Sequence, residues 1–420
     1  MNAFKWVIFC AVFIVFITIL FFVKPKNNVC TTFDDYYGSR LNNCYYNPDG
    51  KLNVSHIIVR WGYDLEEYTV TTEDGYILLL VRIPYGKNTT DVRARRPVFL
   101  QHGLLMNSVG FVNRGRKSLG FILVDAGYDV WLGNLRGTMY SKKHKHLDPQ
   151  SAEFWDFDIM EMGIYDVPAM IDFIYKKTNQ QIIYIGHSLG TTVAFIYGTT
   201  WPTIAQDKIR VVVSLAPTIY IKNWNSFITY ITPIWKYLQP IVLKFTNGEV
   251  YLRGKPQSSV RENLCTIYPF QMYVCQLTTM LGAGFDYEQN DPETLPITIL
   301  QNVDSISHKI ITYIIQKLSS GGFEYFDYGV DKNMQIYGSP TPPRYNVSAL
   351  RIPNYFIRAT NDWMNKEENV DLLSKELSKE ANPYDVYVIK HKYFNHDDFF
   401  TARDVVPLLY NHILEFLECL

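Results

Sequence analysis

Charge of either sign is scarce and nearly balanced in this 420-residue chain: Asp, Glu, Lys and Arg make up 19% and the formal net charge is −1. No broad basic field is available to gather a polyanion. The short cluster Arg93, Arg95 and Arg96 reads as a solvated loop, so nucleic-acid binding drops out. A C-x-x-C pair and an H-E-x-x-H helix are both missing, which removes the usual scaffolds for a built-in zinc ion; no metal and no cofactor is expected. There is no internal repeat, low-complexity tract or long Pro/Gly/Ser linker, which excludes solenoids and strings of small modules.

What is present is globular: hydrophobic residues reach 47%, with 31 Tyr and 25 Phe, enough to fill one large core and an insertion. Lys5 precedes an uncharged apolar run over 6–23 that ends at Lys24 and Lys26. The run exceeds a usual signal h-region of about 7 to 15 residues and lacks a clear cleavage site, so a removed signal peptide and an uncleaved signal anchor both stay open. Sequons at Asn53, Asn88 and Asn346 favour a lumenal chain and are the glycosylation candidates. Cys265 and Cys275 bracket a short stretch where a disulfide would close a small loop, worth ~3 kcal/mol by loop entropy. Cys30 and Cys44 are a second candidate pair; Cys419 has no evident partner. The compartment expected is the secretory pathway: secreted or lysosomal if the segment is cleaved, membrane-anchored with a lumenal catalytic domain if not.

Patterning predicts a hairpin over 68–72 and 76–83, turning at Gly75. Short apolar runs at 97–101, 129–132, 182–185 and 211–215 then alternate with helical stretches such as 164–175, which implies a mostly parallel sheet covered on both faces. From Thr218 to about Tyr345 that rhythm lapses into aromatic sequence broken by Pro233, Pro240, Pro256, Pro269 and Pro292. It resumes with a strand at 355–358, a helix at 366–379, a strand at 386–389 and a last helix from Val405. The expected organisation is 1–23 signal peptide or anchor, 24–53 extension, 54–217 first half of an α/β core, 218–345 inserted, mainly helical cap, and 346–420 second half.

Gly186-His187-Ser188-Leu189-Gly190 matches G-x-S-x-G and stands between a strand-like run and a helix-like one, the context in which the turn presents a nucleophilic serine. A serine hydroxyl needs a base to take its proton and an acid to hold the base's tautomer. His396, in a polar turn after the last strand, is the preferred base, with His391 as its rival. Asp362, at the carboxyl end of the strand at 355–358, is the preferred acid, with Asp397 and Asp398 as alternatives. Oxyanion donors are expected from the backbone amides of Leu189 and of Leu104, in the loop His102-Gly103-Leu104-Leu105.

From about Asn53 onward the chain resembles the acid lipases, the family of gastric and lysosomal acid lipase. The resemblance rests on Glu66-Glu67-Tyr68, on 72–77, on Gln101-His102-Gly103-Leu104-Leu105 and on 125–134. It continues through Phe154-Trp155-Asp156-Phe157, Tyr165-Asp166, the serine motif, Leu215-Ala216-Pro217, Pro340-Thr341-Pro342 and Asn395-His396. It implies an α/β-hydrolase fold with a cap and lid, Ser188, Asp362 and His396 as triad, Leu104 as an oxyanion amide, and a Cys265–Cys275 cap disulfide. It also implies operation in acid and neutral-lipid substrates, triacylglycerols or cholesteryl esters, met at a membrane, droplet or emulsion surface. Trp224, Phe227, Ile231, Trp235, Leu238 and Ile241 are expected to form an apolar cap face toward such a surface. Three departures stand out. Leu189 replaces the family's usual Gln, Asp397 and Asp398 both follow His396 where the family shows Asn-His-x-Asp, and the amino-terminal apolar run is long.

Overall fold

The computed structural model describes residues 47–86, 95–251, 253, 275–289, 291 and 294–420. Residues 6–23, Cys265, Asn88, Cys30 and Cys44 therefore lie outside the described residues.

After a short 3-10 turn, Pro48–Lys51, comes the helix Val54–Arg60, capped by the Asn53 side chain, which accepts the His56 N–H at 2.9 Å. The hairpin follows as strand β1 (Glu66–Thr71) and β2 (Ile77–Ile83), with Gly75 at φ 101 in the turn. Strands β3 (Pro97–Gln101), β4 (Asp129–Gly133), β5 (Ile182–His187) and β6 (Ile209–Leu215) come next. A two-residue antiparallel pairing, β7 (Glu249–Val250) with β8 (Ile306–Ser307), lies apart, before β9 (Asn354–Arg358) and β10 (Tyr387–Val388).

The main sheet runs β1-β2-β4-β3-β5-β6-β9-β10; it is antiparallel through β2 and β4 and parallel from β4 to β10. Every residue of β3, β4, β5 and β9 is buried, which explains their unalternating apolar sequence. Phe99, Trp131 and Tyr184 point to one face, packed with Ile171 and Val193 of the helices Val167–Thr178 and Leu189–Thr200. Their neighbours Val98, Val130 and Ile183 point to the other, against Ile57, Leu123 and Ile413.

On the first face Arg136 is fully buried. It donates to Asp166 Oδ1 through Nε (2.8 Å) and to both Asp74 oxygens (2.6 and 3.0 Å), with its guanidinium 4.0 Å from the Tyr76 ring. This ties the hairpin turn to the helical layer.

Between β6 and β9 no described residue joins the main sheet; the insertion is built from helices that include Trp235–Thr246, Gln276–Ala283, His308–Ser320 and Val330–Tyr337. Pro240, expected to interrupt, sits inside the helix Trp235–Thr246. The amide a proline lacks is one bond in an otherwise continuous turn, and the helix continues across it. The expected apolar face is also redrawn. Trp224 and Trp235 are each 7% exposed and pack inward, Trp235 donating to Thr312 Oγ1 at 2.9 Å. Tyr230 (79%), Tyr237 (66%) and Phe245 (76%) stand out instead, beside Phe227, Leu238 and Ile241.

Candidate active site

Strand β5 ends at His187, and the chain turns into the helix Leu189–Thr200 through Ser188, which holds φ 52, ψ −117. A non-glycine residue adopts such a conformation only when its surroundings enforce it. Here the Ser188 N–H donates to Leu215 O at the end of β6 (2.9 Å), and Ser188 O accepts from Thr191 N (2.9 Å) and Thr191 Oγ1 (2.6 Å). The flanking glycines are there for space: a Cβ on Gly190 would lie 2.4 Å from Gln101 O, and one on Gly186 would lie 2.8 Å from Gly190 O. The helix can therefore approach β3 and aim residue 188 over the sheet edge.

Asp362 follows β9 by a short loop, and its Oδ1 accepts the N–H groups of Met364 and Asn365, each at 2.8 Å. Its Oδ2 accepts from His396 Nδ1 at 2.7 Å. That bond assigns the proton to Nδ1 and leaves Nε2 as the acceptor. Burial opposes charge on this ring, but the Asp362 charge and hydrogen bond, with Asp397 nearby, outweigh it and hold the His396 pKa above its ordinary value. His187 donates from Nε2 to His396 O at 3.1 Å; burial, then the nearby His396, keeps it well below the usual imidazole range, so it is neutral.

The rivals His391 and Asp398 are engaged elsewhere. His391 faces Asp286 (3.6 Å) and Glu288 (3.3 Å). Asp398 accepts the Asn395 N–H at 2.7 Å, and burial pushes its pKa well up beside Asp286.

Strand β3 lies next to β5, pairing Gln101 with Gly186, so the loop after β3 passes the serine; a Cβ on Gly103 would be 3.2 Å from Ser188 Cβ. His102 holds that loop. Its Nε2 accepts the Leu135 N–H at 3.1 Å and Nδ1 donates to Gly103 O at 2.9 Å, while burial lowers its pKa to about 4. Leu104, Ser188, Leu189 and His396 together line one cavity of about 680 Å³, whose walls include Ile159, Ile221, Trp224, Ile299 and Phe400. Its size and apolar lining suit a ligand with a long hydrocarbon part.

Sequence reading missed how the insertion braces this site. Ala283 O accepts from both Trp363 N (3.0 Å), next to Asp362, and His396 N (3.4 Å). Gly284 O accepts from Asn395 Nδ2 at 2.9 Å. On the other side Asp304 N donates to Leu105 O at 3.0 Å, and its side chain accepts from Asn107 Nδ2 at 2.8 Å. The loops that carry Asp362, His396 and Leu104 are thus all pinned by main chain from one inserted segment. Cys275, at the head of the helix Gln276–Ala283, is disulfide-bonded. Of the sequons, Asn346 is exposed and Asn53 is half-buried with its side chain used as a helix cap.

Two family models match: "Partial alpha/beta-hydrolase lipase region" over residues 54–115 and "alpha/beta hydrolase fold" over residues 96–395. Gastric triacylglycerol lipase of Bos taurus is 37% identical over 378 residues, covering 88% of this chain and 92% of that protein. Lipase member K of Homo sapiens is 34% identical, covering 91% and 94%. Among solved structures, a soluble variant of monoglyceride lipase from Saccharomyces cerevisiae shares the fold at TM-score 0.50 and 14% identity, covering 85% of this chain and 95% of that one. Together with the serine elbow on a mostly parallel sheet, these matches place the chain in the lipase family of the α/β-hydrolase fold to which gastric triacylglycerol lipase belongs.

Proposed function

We propose that the protein hydrolyses carboxylic esters of neutral lipids through an acyl-serine intermediate. The observation that carries this reading is the His396–Asp362 hydrogen bond of 2.7 Å behind a ring that opens, with Ser188, into one apolar cavity. Ser188 Oγ attacks the ester carbonyl as His396 Nε2 takes its proton, and Asp362 holds the ring and stabilises the imidazolium. The amides of Leu104 and Leu189 receive the oxyanion. Collapse releases the alcohol, which carries the proton back from His396, and water repeats the sequence on the acyl-serine.

A triacylglycerol substrate is supported by the named activity of the gastric relatives and by the hydrocarbon-sized cavity. The exposed aromatic face of Tyr230, Tyr237 and Phe245 suits contact with an emulsion or membrane surface. We assign the protein to the secretory pathway, with Cys275 paired to Cys265, and Asn346 the best-presented glycosylation site. No helix among the described residues is long and apolar enough to cross a membrane.

The test is release of oleate from emulsified triolein by wild type and Ser188→Ala. A loss of about 10⁶ in kcat is expected from removal of a triad nucleophile. Equal rates would reject the reading in favour of a lipid carrier.

A further inference from the structure

Asp397 is a carboxylic acid in the wall of a hydrocarbon cavity, and its neighbours make that position informative. Its main chain is fully used: the N–H donates to Asn395 Oδ1 (2.8 Å), and the carbonyl accepts from Thr401 Oγ1 (2.9 Å) and Phe400 N (3.1 Å). Its carboxyl group hydrogen-bonds to no described residue, unlike Asp362 and Asp398, whose oxygens are occupied by amides and an imidazole. Asp397 lines the same cavity as His396 and Ser188 and is partly exposed. Burial pushes its pKa up to about 6, with His396 holding it down and Asp362 adding to the rise. A partly exposed carboxyl with no protein donor is free to accept a hydrogen bond from whatever fills the cavity.

Chemistry decides which part of a substrate Asp397 would meet. The imidazole that takes the serine proton must return it to the departing alkoxide, so the alcohol half of the ester sits against His396. Asp397 is the next residue in the chain.

We propose that Asp397 is a specificity residue that accepts hydrogen bonds from free hydroxyls on the alcohol half of the ester, favouring partial glycerides over esters of wholly apolar alcohols. The proposal deepens the hydrolase reading and rests on it for the placement of the alcohol half. One hydrogen bond to a charged acceptor shifts preference by about tenfold, so a partial glyceride is favoured while a triacylglycerol, whose alcohol half offers no free hydroxyl, is still cleaved.

The experiment compares glyceryl monooctanoate with propyl octanoate, the same acyl ester without hydroxyls. Binding is read in Ser188→Ala by displacement of a fluorescent fatty-acyl probe, so turnover is not required. The ratio of the two affinities should fall by about tenfold when Asp397→Leu is added, as expected for loss of one buried hydrogen bond to a charged group. Asp397→Asn, which keeps the shape and a carbonyl acceptor, should fall between the two. A ratio unchanged in both Asp397 variants overturns the proposal. Failure of the hydrolase reading would appear separately, as wild-type ester cleavage by Ser188→Ala.

Discussion

The sheet half of the molecule and the insertion above it share a hydrophobic core but differ in what they leave exposed. Around β3, β4, β5 and β9 the side chains are buried on both faces, and position is set by hydrocarbon packing. The insertion joins the sheet half's hydrophobic core through residues such as Ile306, Ile310 and Tyr313, adds polar joints such as Asp304–Asn107 and Lys142–Glu249 (2.6 Å), and leaves Tyr230, Tyr237 and Phe245 largely bare. The cavity lies between the two: Ser188, Asp362 and His396 stand on the sheet half, and most of the lining residues belong to the insertion.

This contrast predicts where substitutions act. The largest effect, after loss of the nucleophile, should come from Asp362→Asn, which keeps the shape but lets the ring take the wrong tautomer; kcat should drop about 10⁴-fold. The same variant changes the pH profile. A protonated ring cannot accept the serine proton, so wild-type kcat/KM falls as pH drops through the His396 pKa, which Asp362 and Asp397 hold above the ordinary imidazole value against the effect of burial. Removing the Asp362 charge should move that inflection to lower pH. An inflection that stays put would mean another group titrates.

Next in size is Arg136→Ala, which strips one side of a buried charge network on the sheet half; unfolding in urea should show a loss of about 3–5 kcal/mol. A loss below ~1 kcal/mol would show that this half is less dependent on its buried polar groups than its burial suggests. The smallest effect belongs to the insertion's exposed face. Tyr237→Ser with Phe245→Ser should lower triolein hydrolysis about fivefold to tenfold through lost apolar area at the emulsion surface, about 1 kcal/mol. Hydrolysis of a water-soluble short-chain ester should be unaffected. An equal drop on both substrates would assign those rings to folding instead.

The same contrast explains what the sequence disclosed. Strand β3 falls on the expected residues 97–101 because the unalternating apolar run Pro97 to Leu100 suits a strand covered on both faces. The serine turn was legible because its glycines are demanded by main-chain approach, at Gly190 to within 2.4 Å of Gln101 O for any added Cβ. Helix starts were less so: the expected helix at 164–175 begins regular α geometry at Val167, after a wider turn over Met162–Asp166. In the insertion, Trp224 and Phe227 are alike in composition, yet one is buried and the other exposed, and no periodicity over so short a stretch separates them. Ala283 and Gly284 were invisible because they act through carbonyl oxygens, which every residue possesses.

That last feature limits how such an enzyme can diversify. One carbonyl, that of Ala283, stands between the strand end bearing the carboxylate and the turn bearing the imidazole. Exchanging the whole roof for one from a distant hydrolase would remove a clamp on the reacting groups along with the old walls. New substrate ranges are reached more readily by changing side chains within a retained roof than by transplanting it.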